Sequence, residues 1–182
     1  SNKHVYTFAA WDSSPLTVSD THFLSTTTAP HPNWDNVFYF SEQLVDSAVT
    51  FTNVIFDARY ALVMQVSTTP FLRSPVSFTK CTLNCDLMAI QLDWLQDSPV
   101  TVTDTSMTAE HSCINFGGAS IVNSPLTIAE STLTATVNSA LWSQGHAVSF
   151  STPATNCPVT ITGSTLKTSG TGVPSSSVFF KL

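Results

Sequence analysis

The sequence predicts an all-β, single-domain chain: a parallel β-helix, or solenoid, of about six three-stranded coils over residues 1–182. Three observations predict it. A twelve-residue phrase recurs six times, as SPLTVSDTHFLS from Ser14, SAVTFTNVIFDA from Ser47, SPVSFTKCTLNC from Ser74, SPVTVTDTSMTA from Ser98, SPLTIAESTLTA from Ser124 and CPVTITGSTLKT from Cys157. Its second position is Pro15, Ala48, Pro75, Pro99, Pro125 and Pro158, at intervals of 33, 27, 24, 26 and 33 residues. Repeats of this period mean a stack of one supersecondary unit. Within each phrase apolar and polar residues alternate with period two, as a half-buried strand requires. Before each phrase stands another apolar strand (HVYTF, NVFYF, LVMQV, MAIQL, CINF, AVSF), and VFFKL closes the chain.

Each coil is then read in chain order. The first strand should point Phe8, Phe40, Leu92, Phe116 and Phe150 into one inward column ending at Leu182. Thr7, Tyr39, Gln65, Gln91, Asn115 and Ser149 should face outward. The middle strand opens at the Pro position, where a missing N–H is tolerated. A one-residue turn column follows: Asp20, Asn53, Lys80, Asp104, Glu130 and Gly163. The third strand should bury Phe23, Phe56, Leu83, Met107, Leu133 and Leu166, then the small Ser25, Ala58, Cys85, Ala109, Ala135 and Thr168. Three short strands joined by tight corners leave no room for helical crossovers. Like strands of successive coils pair in parallel instead, about 4.8 Å apart.

This repeat resembles the right-handed parallel β-helix, or pectate-lyase-like, superfamily over almost the whole chain. The resemblance, with the general handedness of parallel crossovers, implies a right-handed coil. It specifies architecture and is nearly silent on activity.

Composition narrows the functional classes. Charged residues are only 10%, and Ser and Thr take their place. A net charge of −6 with six basic residues argues against nucleic acid or an anionic membrane as partner. No apolar run is long enough to span a bilayer. Neither end carries an obvious polar cap, which solenoids normally need. Three explanations stand: the chain is cut from a longer repeat protein, its ends pair end to end with neighbours, or loops fold over them. The loops at 26–35, 136–146 and 168–177 are candidates for the last. Cys81 and Cys85 share a strand, about 13 Å apart if extended, and Cys113 and Cys157 fall in different columns, so all four thiols are expected to be unpaired.

Stacking accounts for most charges. The column two residues before the Pro position reads Ser13, Asp46, Arg73, Asp97, Asn123 and Asn156, which flanks Arg73 with acids. Lys80 falls between Asn53 and Asp104, and Arg59 aligns with Asp86. A polysaccharide lyase would need a free basic residue as general base, and a pectin-type hydrolase a cluster of aspartates. Neither constellation is present, so no catalytic residue and no cofactor is expected. A carbohydrate partner rests on fold analogy alone. The histidines (His4, His22, His31, His111, His146) lack metal-ligand spacing and are expected in turns or on the surface.

One face departs from the generic repeat. The outward pairs of the middle strand are Thr17 and Ser19, Thr50 and Thr52, Ser77 and Thr79, Thr101 and Thr103, Thr127 and Ala129, and Thr160 and Thr162. None is charged. A parallel stack sets them on a grid of about 4.8 Å between coils and about 6.6 Å along a strand. Threonine is stiff at χ1, so the grid is ordered before anything binds. The face resembles the Thr-x-Thr face of β-solenoid ice-binding proteins. That likeness implies ice as partner and these twelve positions as the contact set. Ala129 breaks the pattern, and Ser19 and Ser77 lack the methyl. Threonine also suits any exposed parallel strand. A non-catalytic extracellular or cell-surface protein is therefore expected, with an adhesin or structural segment of a larger protein as the alternative and a carbohydrate-active, lyase- or hydrolase-like protein as the third reading.

Overall fold

The computed structural model describes residues 4–8, 10–25, 36–64, 70–136, 145–170 and 175–180. Among them every regular element is a β-strand, and every strand pairing is parallel. The strands form three sheets, of eleven, six and six strands, that wind about one core. The protein is a parallel β-helix.

Each coil carries one strand more than the sequence reading supplied. Two-residue strands (Trp11–Asp12, Leu44–Val45, Phe71–Leu72, Leu95–Gln96, Ile121–Val122, Ala154–Thr155) stack into the third sheet. They are too short to show a period. The first and last strands of each coil belong to one sheet and fuse in the middle of the stack, giving Ile55–Met64 and Thr82–Leu92.

Two corner columns turn the chain. Ser13, Asp46, Arg73, Asp97, Asn123 and Asn156 form one, and the predicted turn column forms the other. All twelve have φ between 48° and 57°. Asn, Asp and Gly tolerate this left-handed region, whereas Ser13, Arg73, Lys80 and Glu130 carry the Cβ penalty of about 1–2 kcal/mol each. At Gly163, φ 57°, a Cβ would meet the end of the exposed Glu130 side chain, which would have to swing aside.

After each corner a small polar side chain faces inward and ties the coils together. The Ser47, Ser74, Ser98 and Ser124 hydroxyls accept the N–H of Ser14, Ser47, Ser74 and Ser98, at 3.1, 3.1, 2.9 and 3.0 Å. Cys157 ends that column, its Sγ accepting the Ser124 N–H at 3.4 Å. The second corner repeats the device. Cys81, Thr105 and Ser131 give their N–H to Thr105, Ser131 and Ser164, and Val54 interrupts the column. In the inner coils these groups are buried, so each bond there satisfies a donor that water cannot reach.

The core follows the predicted register. Val49, Phe51, Val76, Phe78, Val100, Val102, Leu126 and Ile128 from the middle strands are at most 1% exposed. Phe56, Leu83, Met107 and Leu133 meet them from the third strand, with Ala58, Cys85, Ala109 and Ala135 beside them. Phe51 stacks on Phe78 at 4.9 Å. Full burial of such a side chain stabilises by about 1.5–3 kcal/mol.

The first strand needs three corrections. In register its column runs Phe8, Phe40, Met64, Leu92, Phe116, Phe150 and Phe180, and the members from Phe40 to Phe150 are buried. Phe180 therefore holds the place expected for Leu182, which lies outside the described residues. Val63, not Gln65, is the outward member of coil three, because the connection from Met64 to Phe71 is longer than that from Leu92 to Leu95; Gln65 too lies outside the described residues. The outward side is also not solvated: Val63, Gln91 and Ser149 are buried, and Tyr39, Tyr60, Val63, Leu87 and Met88 form a second apolar cluster outside the main core. A bulge sets Asp86 and Leu87 opposite Arg59, which breaks the simple Arg59–Asp86 alignment.

Candidate surface-binding face

The six middle strands (Leu16–Ser19, Val49–Thr52, Val76–Thr79, Val100–Thr103, Leu126–Ala129 and Val159–Thr162) form one sheet in that order. Their register runs without a shift. Thr17, Thr50, Ser77, Thr101, Thr127 and Thr160 align in one column, and Ser19, Thr52, Thr79, Thr103, Ala129 and Thr162 in the other. All twelve predicted positions are thus brought together.

Period two decides their direction. The interleaved Val, Phe, Leu and Ile fill the core, so the threonines must point out. The outward side chains are half-buried in the four inner coils and exposed in the first and last. Neighbouring strands flank each inner threonine, and the end coils lack one neighbour. Ser77 Oγ donates to Thr50 Oγ1 at 3.2 Å, which ties adjacent rungs on the surface.

Charge is confined to the rims. On one rim Arg73 makes a two-pronged contact with Asp46: Nε to Oδ1 at 2.6 Å and the second guanidinium nitrogen to Oδ2 at 2.7 Å. That hydrogen bond, with the nearby positive charge, holds the Asp46 carboxyl below its ordinary range. Asn123 and Asn156 continue the rim, their side-chain amides donating hydrogen bonds to Asp97 Oδ1 and Asn123 Oδ1. On the other rim Asn53 donates to Asp20, and Lys80 stands between Asn53 and Asp104. The face itself offers only hydroxyls and methyls and holds no titratable group.

The groups with displaced pKa lie elsewhere. Asp57 accepts from Asn84 and contacts His22 at 2.7 Å; these contacts lower its pKa. Asp93, 6% exposed, accepts from Gln91 Nε2 at 3.0 Å, and burial raises its pKa. His146 departs from the expected turn or surface role. It lies buried in the strand Gly145–Phe150 and stacks at 4.5 Å on Phe179 of the neighbouring strand Ser175–Phe180. His22 is on the surface, and His111 bonds Ser112. His31, and the side chain of His4, lie outside the described residues.

No group of three or more His, Cys, Asp or Glu suited to a metal ion occurs among the described residues. Cys81, Cys85, Cys113 and Cys157 are all free. Sequence reasoning missed the inward corner ladders, although their signal was present: Ser or Cys opens every phrase. Comparison with protein-family models, curated proteins and solved structures returns no match.

Proposed function

We propose that this protein is a non-catalytic surface-binding solenoid whose threonine face binds ice. The observation that carries the reading is the unbroken register of two uncharged columns, six residues each, on one sheet. A rigid lattice cannot adapt to its binder, so a binder must present a repeating array already in place. Side chains fixed by a strand scaffold and a stiff χ1 lose little entropy on contact. The proposal extends to membership of the pectate-lyase-like superfamily, to a right-handed coil, and to an extracellular or cell-surface location. An adhesin or structural segment is the competing reading, and carbohydrate a further partner to test.

Ice affinity and thermal hysteresis of the purified chain test the proposal. Thr101 and Thr103, central and outward, are the positions to change. Thr101→Tyr should abolish ice binding while circular dichroism and melting stay near those of the parent. A parent chain that neither shapes ice nor lowers its growth temperature would overturn the reading in favour of the adhesin.

A further inference from the structure

We propose that Gln91, Asp93 and Asn115 hold a monovalent metal ion, Na+ or K+, where the large sheet turns toward the two-residue strands of coils four and five. The inference is independent of what the threonine face binds.

Register brings the three residues together. Gln91 and Asn115 are paired on adjacent rungs, in the outward column of the first strand. Asp93 comes directly after the strand Thr82–Leu92. It sits against the backbone of the next coil, because Gly117 and Gly118 have no side chain to hold it off. A Cβ at Gly118 would lie 2.6 Å from the Asp93 carbonyl oxygen. A Cβ at Gly117 would lie 3.2 Å from Asp93 Oδ1 and 3.4 Å from Asn115 Nδ2. Apart from Gly117 and its chain neighbours, no other heavy atom of the described residues comes within 4 Å of that second position. The missing side chain of Gly117 thus leaves a small cradle lined by a carboxylate and an amide.

Two unmet demands point to a ligand there. Gln91 is 9% exposed and donates from Nε2 to Asp93 Oδ1 at 3.0 Å. Its Oε1 is left buried with no hydrogen-bond partner. Buried polar atoms are normally paired, so an orphaned acceptor calls for a donor or a cation. Asp93, 6% exposed, has the second demand. Burial and the Gln91 hydrogen bond are the influences on its carboxyl, and no Lys, Arg or His of the described residues pairs with it. A buried carboxylate without a counter-charge is costly, and a bound cation offsets that cost.

Chemistry selects the ion. Gln91 Oε1 and the Asp93 carboxylate are oxygens, and Asn115 presents its own oxygen once its amide turns over. Carboxylate and carbonyl oxygens suit hard cations rather than those that prefer sulfur or imidazole. Charge sets the valence. One carboxylate balances one positive charge, whereas a divalent ion would leave a buried excess that no second acid of the described residues offsets.

The test is the thermal melting of the 182-residue chain at pH 7 and constant ionic strength. Tetramethylammonium chloride is replaced stepwise by NaCl or by KCl, and in a separate series by CaCl2. Constant ionic strength removes general screening from the comparison. The parent should gain about 3–5 °C for each tenfold rise in Na+ or K+ above the dissociation constant. Asp93→Asn removes the charge and should lose that dependence. Gly117→Ala keeps the carboxylate but fills the cradle, at a residue outside the left-handed region, and should lose it too. The 23Na resonance should broaden with the parent and sharpen again with either variant. A parent that melts alike in all salts, or responds to CaCl2 alone, would overturn the inference. So would an undiminished Na+ or K+ response in Asp93→Asn or in a Gly117→Ala chain with the parent's circular dichroism.

Discussion

Removing one hydroxyl from the corner ladder tests how the coils hold together. Ser98 is fully buried in the central rung. Its Oγ accepts the Ser74 N–H at 2.9 Å and faces the Gln96 and Phe71 carbonyls at 2.9 and 3.1 Å. In Ser98→Ala the Gln96 carbonyl keeps the Arg73 N–H, at 3.0 Å. The Ser74 N–H, on a residue that is itself 0% exposed, loses its acceptor. An orphaned buried donor costs about 1–3 kcal/mol. The melting temperature should fall by about 2–4 °C per kcal/mol for a chain of this size. Urea unfolding followed by circular dichroism measures the free energy directly. Ser106→Ala, on an exposed residue of the third strand, is the control and should stay within about 0.5 kcal/mol of the parent. Ser98→Cys should recover part of the loss, since Cys157 fills the equivalent position in coil six. If Ser98→Ala proves no more costly than Ser106→Ala, the ladder contributes nothing beyond the sheets, and the argument fails.

Further outcomes follow from the buried titratable groups. Burial holds the Asp93 carboxyl above the ordinary 3.8, so the native state binds its proton more tightly than the unfolded chain. Stability from this group therefore falls as pH rises from 3.8 to the folded value. Asp93→Asn keeps an acceptor for Gln91 and should be more stable than the parent at pH 7, with the advantage shrinking on acidification; denaturant titrations at both ends of that range check the sign. Burial pushes the Cys113 thiol up to about 12 and raises Cys85 as well, whereas Cys157 is only half-buried. Alkylation of the native protein, read by peptide mass mapping, should label Cys157 well before Cys85 or Cys113. Labelling of Cys113 first would show that the coils open at the centre before they fray at the end. At the core, Phe51→Ala should cost about 3–5 kcal/mol, because Phe51 is fully buried against Phe38, Phe56 and Phe78. Chemical denaturation of that variant measures the loss.

By itself the sequence determined the coil number, the parallel register and the direction of every middle-strand side chain. All three follow from a repeat whose inner and outer residues alternate with period two; a slip of one would put Phe51 and Phe78 into water. The same alternation placed the twelve positions of the threonine face, and the aligned corner column brought Arg73 to Asp46. Tertiary structure decided what pattern could not carry. The two-residue strands are shorter than any period. The first strand of coil three ends at Met64 because the length of the following connection, not the hydrophobic order of LVMQV, sets where the chain rejoins the stack. Gln91, Ser149 and His146 look like solvent-facing residues in the sequence, yet they are buried, because burial of the outer side of that sheet depends on its surroundings in space and not on its own alternation. The corner serines are polar and inward, against the rule that reads polarity as exposure, since only the stacked fold supplies the N–H that each one accepts.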